Sequence, residues 1–285
     1  MEHITKAQVK FIRSLQQKKF RDEYGLFVAE GEKCVEELRR GFELVQWVTD
    51  TQKLKAVNPE TEAQTLTATA TEIAQMSSLR TPQGVIGVFK KRTIANHQSP
   101  ITNHQSPITY PLVLILDGIQ DPGNLGTIIR TCDWFGVHSI VCSRDTADCY
   151  NPKVVQATMG ALARVNLQYV DLPEWLEQLR NKNNELRIYG TLLDGKNMYE
   201  MLSDEVGGIS TQQSDDPSQR KLSVIIMGNE GNGISSEVRK FITHPLYIPA
   251  YADDGQTKET SDVVESLNVS IATAIVLAEF RRRGL

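Results

Sequence analysis

Between Lys6 and Phe20 the apolar residues Val9, Ile12 and Leu15 recur at a spacing of three, which lays one stripe along an amphipathic helix. Leu26 to Ala29 is short and almost wholly apolar, as a strand is. From Glu30 to Arg40 acids open the run, Arg39 and Arg40 close it and Gly41 follows, the charge and cap order of a helix. A strand over Glu43 to Thr49, a helix around Thr71 to Met76 and a β-branched apolar run over Gly84 to Lys90 continue the alternation. Residues 1–92 are thus predicted to form a small α/β layer domain that ends near Arg92.

The periodicity then stops. Asn96 to Thr102 is repeated without change as Asn103 to Thr109, polar and with one proline in each copy. Such a stretch has too little apolar surface to join a core, so residues 93–110 are expected to be a flexible linker. His97, Gln98, His104 and Gln105 within it are read as tether rather than as metal ligands. Over residues 111–285 apolar runs return at Leu112 to Leu116, Ser139 to Cys142, Asn166 to Val170, Arg187 to Leu193, Leu222 to Met227 and Leu246 to Pro249, with helical stretches between them. Several are nearly uninterrupted, the pattern of parallel strands covered on both faces. This half is predicted to be a doubly wound parallel α/β domain. Two polar inserts interrupt it, Asp204 to Lys221 and Tyr251 to Glu265.

Composition narrows the function classes. The 285 residues are enough for two domains, and 40% hydrophobic with 23% charged residues is ordinary for a globular chain. No apolar run approaches the roughly 20 residues of a membrane-spanning helix. Met1 to Lys10 lacks the apolar core of a secretory signal, so no membrane partner and a cytoplasmic location are expected. Cys34, Cys132, Cys142 and Cys149 form no CxxC pair and have no histidine at zinc-site spacing; they read as small buried hydrophobes, and no metal is expected. A net charge of -4 argues against a general nucleic-acid binder, because Lys and Arg supply most of the affinity for phosphate. Locally the balance reverses. Within residues 1–21, Lys6, Lys10, Arg13, Lys18, Lys19 and Arg21 face Glu2 alone, and Lys90 to Arg92 and Arg281 to Arg283 are further basic clusters. Lys10, Arg13, Lys18, Lys19 and Arg21 form the candidate nucleic-acid-facing set, although a solvated helix face would carry the same charges.

Three motifs carry candidate chemistry. Asp117 to Thr131 (DGIQDPGNLGTIIRT) follows a buried strand and opens a helix, the position where open α/β sheets bind ligands. Pro122, Gly123 and Gly126 suit a tight turn, and the planar fork of Arg130 suits phosphate. An ordinary strand-to-helix turn with a surface arginine would read the same way. Ile225 to Ser235 (IIMGNEGNGIS) again joins a strand to a helix, and its glycines leave backbone groups open to a ligand around Glu230. It is neither a Walker A loop nor GxGxxG. The third begins at Tyr247-Ile248-Pro249-Ala250 and resumes, after the acidic insert, at Ser266 to Ala272 (SLNVSIA), where Ser266 is expected to be the helix N-cap and Asn268 to lie in the first turn.

Together NLGTIIRT, IMGNEGNGIS and IPA…SLNVSIATAI resemble the three signature motifs of the SpoU/TrmH family of SPOUT RNA ribose methyltransferases. The N-terminal stretch FIRSLQQKKFRDEYGLFVAEGEKCVEEL, closing at TPQGVIGVF, is similar to the L30e/L7Ae-like substrate-binding domain of many members. The resemblance implies a parallel-sheet domain with a C-terminal trefoil knot, and transfer of a methyl group from S-adenosylmethionine to a 2′-hydroxyl of RNA. It implies a homodimer whose active site draws on both protomers. It makes Asn124, Arg130, Glu230, Ser266 and Asn268 the catalytic cluster, and Gly228, Gly233, Ile248, Leu267 and Ser270 the cofactor pocket. The separate N-terminal module favours ribosomal RNA as substrate; transfer RNA, or a non-catalytic RNA-binding or ribosome-assembly role, are the alternatives. The insert Asp253 to Glu265 departs from the family pattern. Its five acids against Lys258 alone should keep it off an RNA backbone.

Overall fold

The computed structural model describes residues 2–51, 64–92, 112–183, 186–202, 222–250 and 266–284. The repeat-containing linker and the inserts expected at 204–221 and 251–265 fall outside them. The chain forms two compact units. One gathers residues 1–98, 121–133 and 147–165, and the other residues 99–120, 134–146 and 166–285.

The first unit is built on a five-stranded mixed sheet in the order β1 (Glu2–His3), β4 (Gln64–Ala68), β3 (Leu44–Asp50), β5 (Val85–Lys90), β2 (Leu26–Glu30). β5 is buried over Val85 to Phe89, so both faces of the sheet are covered. On one face Val28, Val48, Leu66, Ile86 and Val88 pack against the buried stripe of α1 (Lys6–Ser14) and against α4 (Ala70–Met76). On the other lies α3 (Glu32–Leu38), close enough that a Cβ on Gly87 would stand 2.8 Å from a methyl of Val35. α1 and α4 both begin in a capping box, Thr5 with Gln8 and Thr69 with Glu72. The pairs β1 and β4 were not legible in the sequence.

The helix expected through Phe20 is in fact two, α1 and α2 (Lys18–Tyr24). The apolar stripe runs across the break, with Leu15 fully buried. The backbone carbonyls freed there are taken by Arg21, whose Nη1 donates to the oxygens of Leu15 and Gln16 at 3.0 and 2.7 Å. The expectation that Arg21 faces nucleic acid is therefore corrected. Its side chain is 2% exposed and is bound to Asp148, with Nη2 to Oδ2 at 2.7 Å. A guanidinium with five donors fits this role where lysine could not, and removing one partner of such a buried pair costs about 3–5 kcal/mol.

The same unit contains most of α5 (Pro122–Trp134) together with α6 (Pro152–Thr158) and the 3₁₀ turn Ala161–Ala163. α6 lies on β2, and the ring of Tyr150 meets that of Phe27 with centroids 4.8 Å apart. Arg92 donates to the carbonyls of Val165 and Ala163 and stands over the ring of Phe42. Its burial holds its pKa below the ordinary guanidinium value.

The second unit is a six-stranded, all-parallel sheet. Its order is β11 (His244–Tyr247), β9 (Arg187–Asn197), β10 (Ser223–Gly228), β6 (Leu112–Asp117), β7 (Ser139–Ser143), β8 (Asn166–Val170). β6 and β10 are buried at every position, which explains their uninterrupted apolar runs. α7 (Leu172–Lys182) and the short helix Ser236–Arg239 pack on one face through Leu172, Leu176, Leu179 and Val238. The four cysteines of the chain are buried.

The final helix, Val269–Arg282, uses the C-terminal arginines structurally. Arg281 donates to the carbonyls of Phe135 and Gly136, and Arg282 and Arg283 both hold Glu279. The Arg282 hydrogen bond, assisted by Arg283, brings the Glu279 pKa down to about 2. A depressed carboxylate stabilises the fold above its unfolded pKa and loses that contribution as the pH falls through the folded one. We predict that Glu279→Gln lowers the melting temperature at neutral pH, and that the gap to the wild type closes as the pH is taken from about 5 toward 2 in a thermal-melt series.

Candidate active site and cofactor loop

The sheet register brings the first two motifs together. Gly228 at the end of β10 pairs with Asp117 at the end of β6, so the two turns leave the carboxyl edge of the sheet side by side. β6 also begins the strands that run on to β7 and β8, whereas β10 leads to β9 and β11. This is the switch point where such sheets bind ligands.

Local chemistry fastens the two turns to each other. Gly118 adopts a φ of 73°, open to glycine without strain, and its N–H donates to Ser143 Oγ at 2.8 Å. Its carbonyl accepts from Asn229 Nδ2 at 2.7 Å, and Asp117 Oδ2 accepts from the N–H of Ser235 at 2.7 Å. Asn229 Oδ1 accepts from the N–H groups of Gly231 and Asn232, while its backbone exchanges two 2.9 Å hydrogen bonds with Gly233. The loop thereby doubles back tightly. A Cβ on Gly228 would stand 2.3 Å from the carbonyl carbon of Gly233 and 2.4 Å from the nitrogen of Ile234, so glycine is required there. Gly233 has open space and a φ of 68°, and needs glycine for its backbone alone. Glu230 stands exposed at the tip.

The third motif leaves β11 at Tyr247, with Ile248 half-buried after it. At its second half the expected cap is corrected: Asn268, not Ser266, is the N-cap of the final helix. Its Oδ1 accepts from the Ser270 N–H at 2.9 Å, from Ser270 Oγ at 2.6 Å and from the Ile271 N–H at 3.4 Å. Asparagine reaches these donors because it directly precedes the first turn; Ser266 lies two residues too early. Ser266 and Leu267 are exposed, and Ser270 is buried. Asn124 and Arg130 lie on α5, in the other compact unit. Asp121 anchors the start of that helix, its Oδ1 accepting from the Asn124 N–H at 2.8 Å. Arg130 is exposed and makes no hydrogen bond or ion pair among the described residues.

Asn229, Asp117 and Ser143 fasten the two turns and were passed over by sequence reasoning. The legible signal was Asn229, an Asx residue directly after Gly228 and two before Gly231, the type that organises tight loops through its own side chain. The excursion of β9 between Thr191 and Gly195 was also missed. It bulges out of the ladder with β11 between Gly190 and Lys196; Thr191 Oγ1 donates to the Ile226 carbonyl, and Asp194 pairs with Arg239.

Residues 111–278 match the SpoU rRNA Methylase family. This chain belongs to that family. Residues 6–87 match the MRM3-like substrate binding domain, the module expected from FIRSLQQKKF and its continuation. The SpoU relatives include the 23S rRNA (guanosine(2553)-2′-O)-methyltransferase of Bacillus subtilis, 27% identical over 99% of this chain and 98% of that protein. A solved TrmH-family structure from Porphyromonas gingivalis is 35% identical and covers 98% of this chain and 99% of its own, with a TM-score of 0.75. An AdoMet-bound rRNA methyltransferase from Sinorhizobium meliloti is 28% identical and superposes with the same score, over 100% of this chain and 98% of that one. The parallel-sheet SpoU architecture is thus established for this chain. Among the described residues no helix is long and apolar enough to cross a membrane.

Proposed function

We propose that this protein transfers a methyl group from S-adenosylmethionine to a ribose 2′-hydroxyl of ribosomal RNA. The observation that carries this is the loop Gly228–Ser235, which closes on its own backbone at the switch point and is tied to the turn after β6 by Asn229 and Asp117. A glycine loop lets a ligand approach the main chain closely, and Gly228, Gly233, Ile248, Leu267 and Ser270 would hold the cofactor. When bound, S-adenosylmethionine supplies an electrophilic methyl group on a sulfonium sulfur.

The protein's own residues orient the nucleophile. The ribose oxygen gains negative charge as it attacks, and Arg130, exposed on α5, offers a guanidinium to that oxygen and its neighbouring phosphate. A guanidinium has no lone pair free to take the ribose proton, so Arg130 acts as a charge partner. Glu230 presents an acceptor for a hydroxyl or ammonium group. Asn268, with Asn124 and Ser266, completes the catalytic cluster. We read the C-terminal half as carrying the family's trefoil knot and the protein as a homodimer with a composite site. Ile271, 52% exposed in the first turn of the final helix, supports an apolar contact between protomers. The domains are read as residues 1–92 for substrate and 111–285 for catalysis, and the location as cytoplasmic.

Pairing narrows the RNA surface. Lys90 and Lys91 are paired with Glu43 and Asp22, and Lys18 with Asp22 as well. Lys19 stands over the ring of Phe20. Lys6, Lys10 and Arg13, by contrast, lie at helical spacing on the exposed face of α1 and make no ion pair among the described residues. Replacing these three by alanine should reduce the slope of log affinity for RNA against log salt by about two, since each phosphate contact contributes roughly 0.7 to 0.9. An unchanged slope would move the RNA face elsewhere. The function itself is tested by transfer of labelled methyl from S-adenosylmethionine to total RNA from a strain lacking the protein, with Asn124→Ala and Arg130→Ala as controls. Incorporation into ribosomal RNA that both variants abolish is expected; incorporation into transfer RNA, or none with the cofactor bound, would overturn the assignment.

A further inference from the structure

The substrate-binding module is expected from sequence to hang on a flexible tether, yet the first compact unit contains α5 and α6 as well as the N-terminal sheet. Three buried or clamped arginines fasten these parts. Arg21, 2% exposed, reaches from α2 to Asp148 just before α6. Arg92, at the end of the module, donates to the carbonyls of Ala163 and Val165. Arg164 grips Asp133 of α5 through Nε and Nη2 while its Nη1 donates to Glu37 of α3 at 2.8 Å. The Asp133 carboxylate, and Glu37 with it, raise the Arg164 pKa further, so the clamp stays charged at any physiological pH.

Backbone contacts between these parts leave no room for slippage. A Cβ on Gly41 would stand 2.4 Å from the Ala163 carbonyl oxygen, and one on Gly160 2.3 Å from Cβ of Glu37. Met159, the one non-glycine residue with positive φ among the described residues, turns the chain into that contact at φ 51°. α6 in turn meets α5 so closely that a Cβ on Gly126 would stand 2.5 Å from Cβ of Ala157. The line of contact therefore runs from the module through α6 to the helix that bears Asn124 and Arg130.

We infer that the N-terminal module and the Arg130 helix are one rigid body, and that Arg21, Arg92 and Arg164 are positioning residues which fix the span between the basic stripe of α1 and Arg130. Resting on the reading above of RNA as substrate, this body acts as a ruler. An RNA whose docking element and target ribose match the span is methylated, and one that does not match cannot be reached by swinging the module. Selection then lies in the shape of structured RNA, not in a local base sequence.

Spin labels at Gln75→Cys on α4 and Thr127→Cys on α5 read the span in the full-length protein without RNA or cofactor, independently of whether it methylates anything. A single narrow distance distribution is expected. It should be unchanged by RNA and by insertion of a third copy of the heptapeptide Asn96 to Thr102. A broad or multi-peaked distribution in the otherwise unaltered chain, or one that shifts with the insertion, would overturn the inference. Asp148→Asn should broaden the distribution and raise KM for ribosomal RNA by about tenfold, leaving KM for S-adenosylmethionine in place, since misplacement of a reacting group is felt remotely. Arg164→Gln, a substitution at a partly exposed site, serves if Asp148→Asn does not fold. Broadening without a change in RNA KM, or an unbroadened span in both variants, would remove the positioning role.

Discussion

Arg130→Ala is expected to lower the rate of ribose methylation by about two to three orders of magnitude, the loss usual when one preorganised donor to a developing oxyanion is removed. The cofactor affinity should stay where it is, because the role proposed for Arg130 is toward the ribose oxygen and its phosphate and not toward the cofactor. Single-turnover rates beside equilibrium binding of S-adenosylmethionine separate the two. The side chain is exposed and makes no ion pair among the described residues, so its removal leaves no buried charge behind and the fold should melt as before. Arg130→Lys discriminates further. Retained activity would mean that charge suffices; loss comparable to alanine would mean that the planar two-pronged contact is needed, which lysine cannot supply. Wild-type rates in Arg130→Ala would remove Arg130 from the mechanism.

The second large effect is expected at Gly228. A methyl group there would stand 2.3 to 2.6 Å from the carbonyl of Gly233 and the nitrogen of Ile234. Both atoms are backbone and cannot swing aside, so the loop must open and the Asn229–Gly233 hydrogen-bond pair is lost. Overpacking of this kind costs about 1–3 kcal/mol, which corresponds to roughly ten- to a hundredfold weaker cofactor binding. Gly233→Ala is the matched comparison. Nothing stands within 4 Å of its Cβ position, and only the backbone at φ 68° resists, at about 1 kcal/mol. Calorimetric titration of both variants with S-adenosylmethionine should therefore show Gly228→Ala much the weaker binder. Equal affinities would mean that the tight return of the loop is not what shapes the pocket.

How much of this was legible depended on the range of the interaction. β6, β7 and β10 showed themselves as apolar runs because burial on both faces leaves no polar alternation, and the structure returns each strand of the parallel sheet within a few residues. The glycine loop was legible because φ freedom and close approach demand glycine. Local hydrogen bonding decided the misplaced cap, where Asn268 competes directly with Ser266 and wins by position. The fate of Arg21 was not legible at all. Its partner Asp148 lies 127 positions away, and nothing near Arg21 distinguishes a buried guanidinium from the exposed bases Lys10 and Arg13. The same holds for Arg281 to Arg283, which read as a basic cluster and prove to be spent on carbonyls and on Glu279. Two-residue β1 is too short for any periodicity to register.

The central claim, methylation at the ribose oxygen and not at a base, is tested most directly by the alkali stability of the product. Ribosomal RNA labelled by the purified protein and methyl-labelled S-adenosylmethionine is hydrolysed with alkali, which cleaves each linkage through its free 2′-hydroxyl. A methylated 2′-oxygen cannot attack the adjacent phosphate, so the label should emerge in one alkali-resistant dinucleotide and vanish in Arg130→Ala. Label released as mononucleotides would place the methyl group on a base and contradict the account.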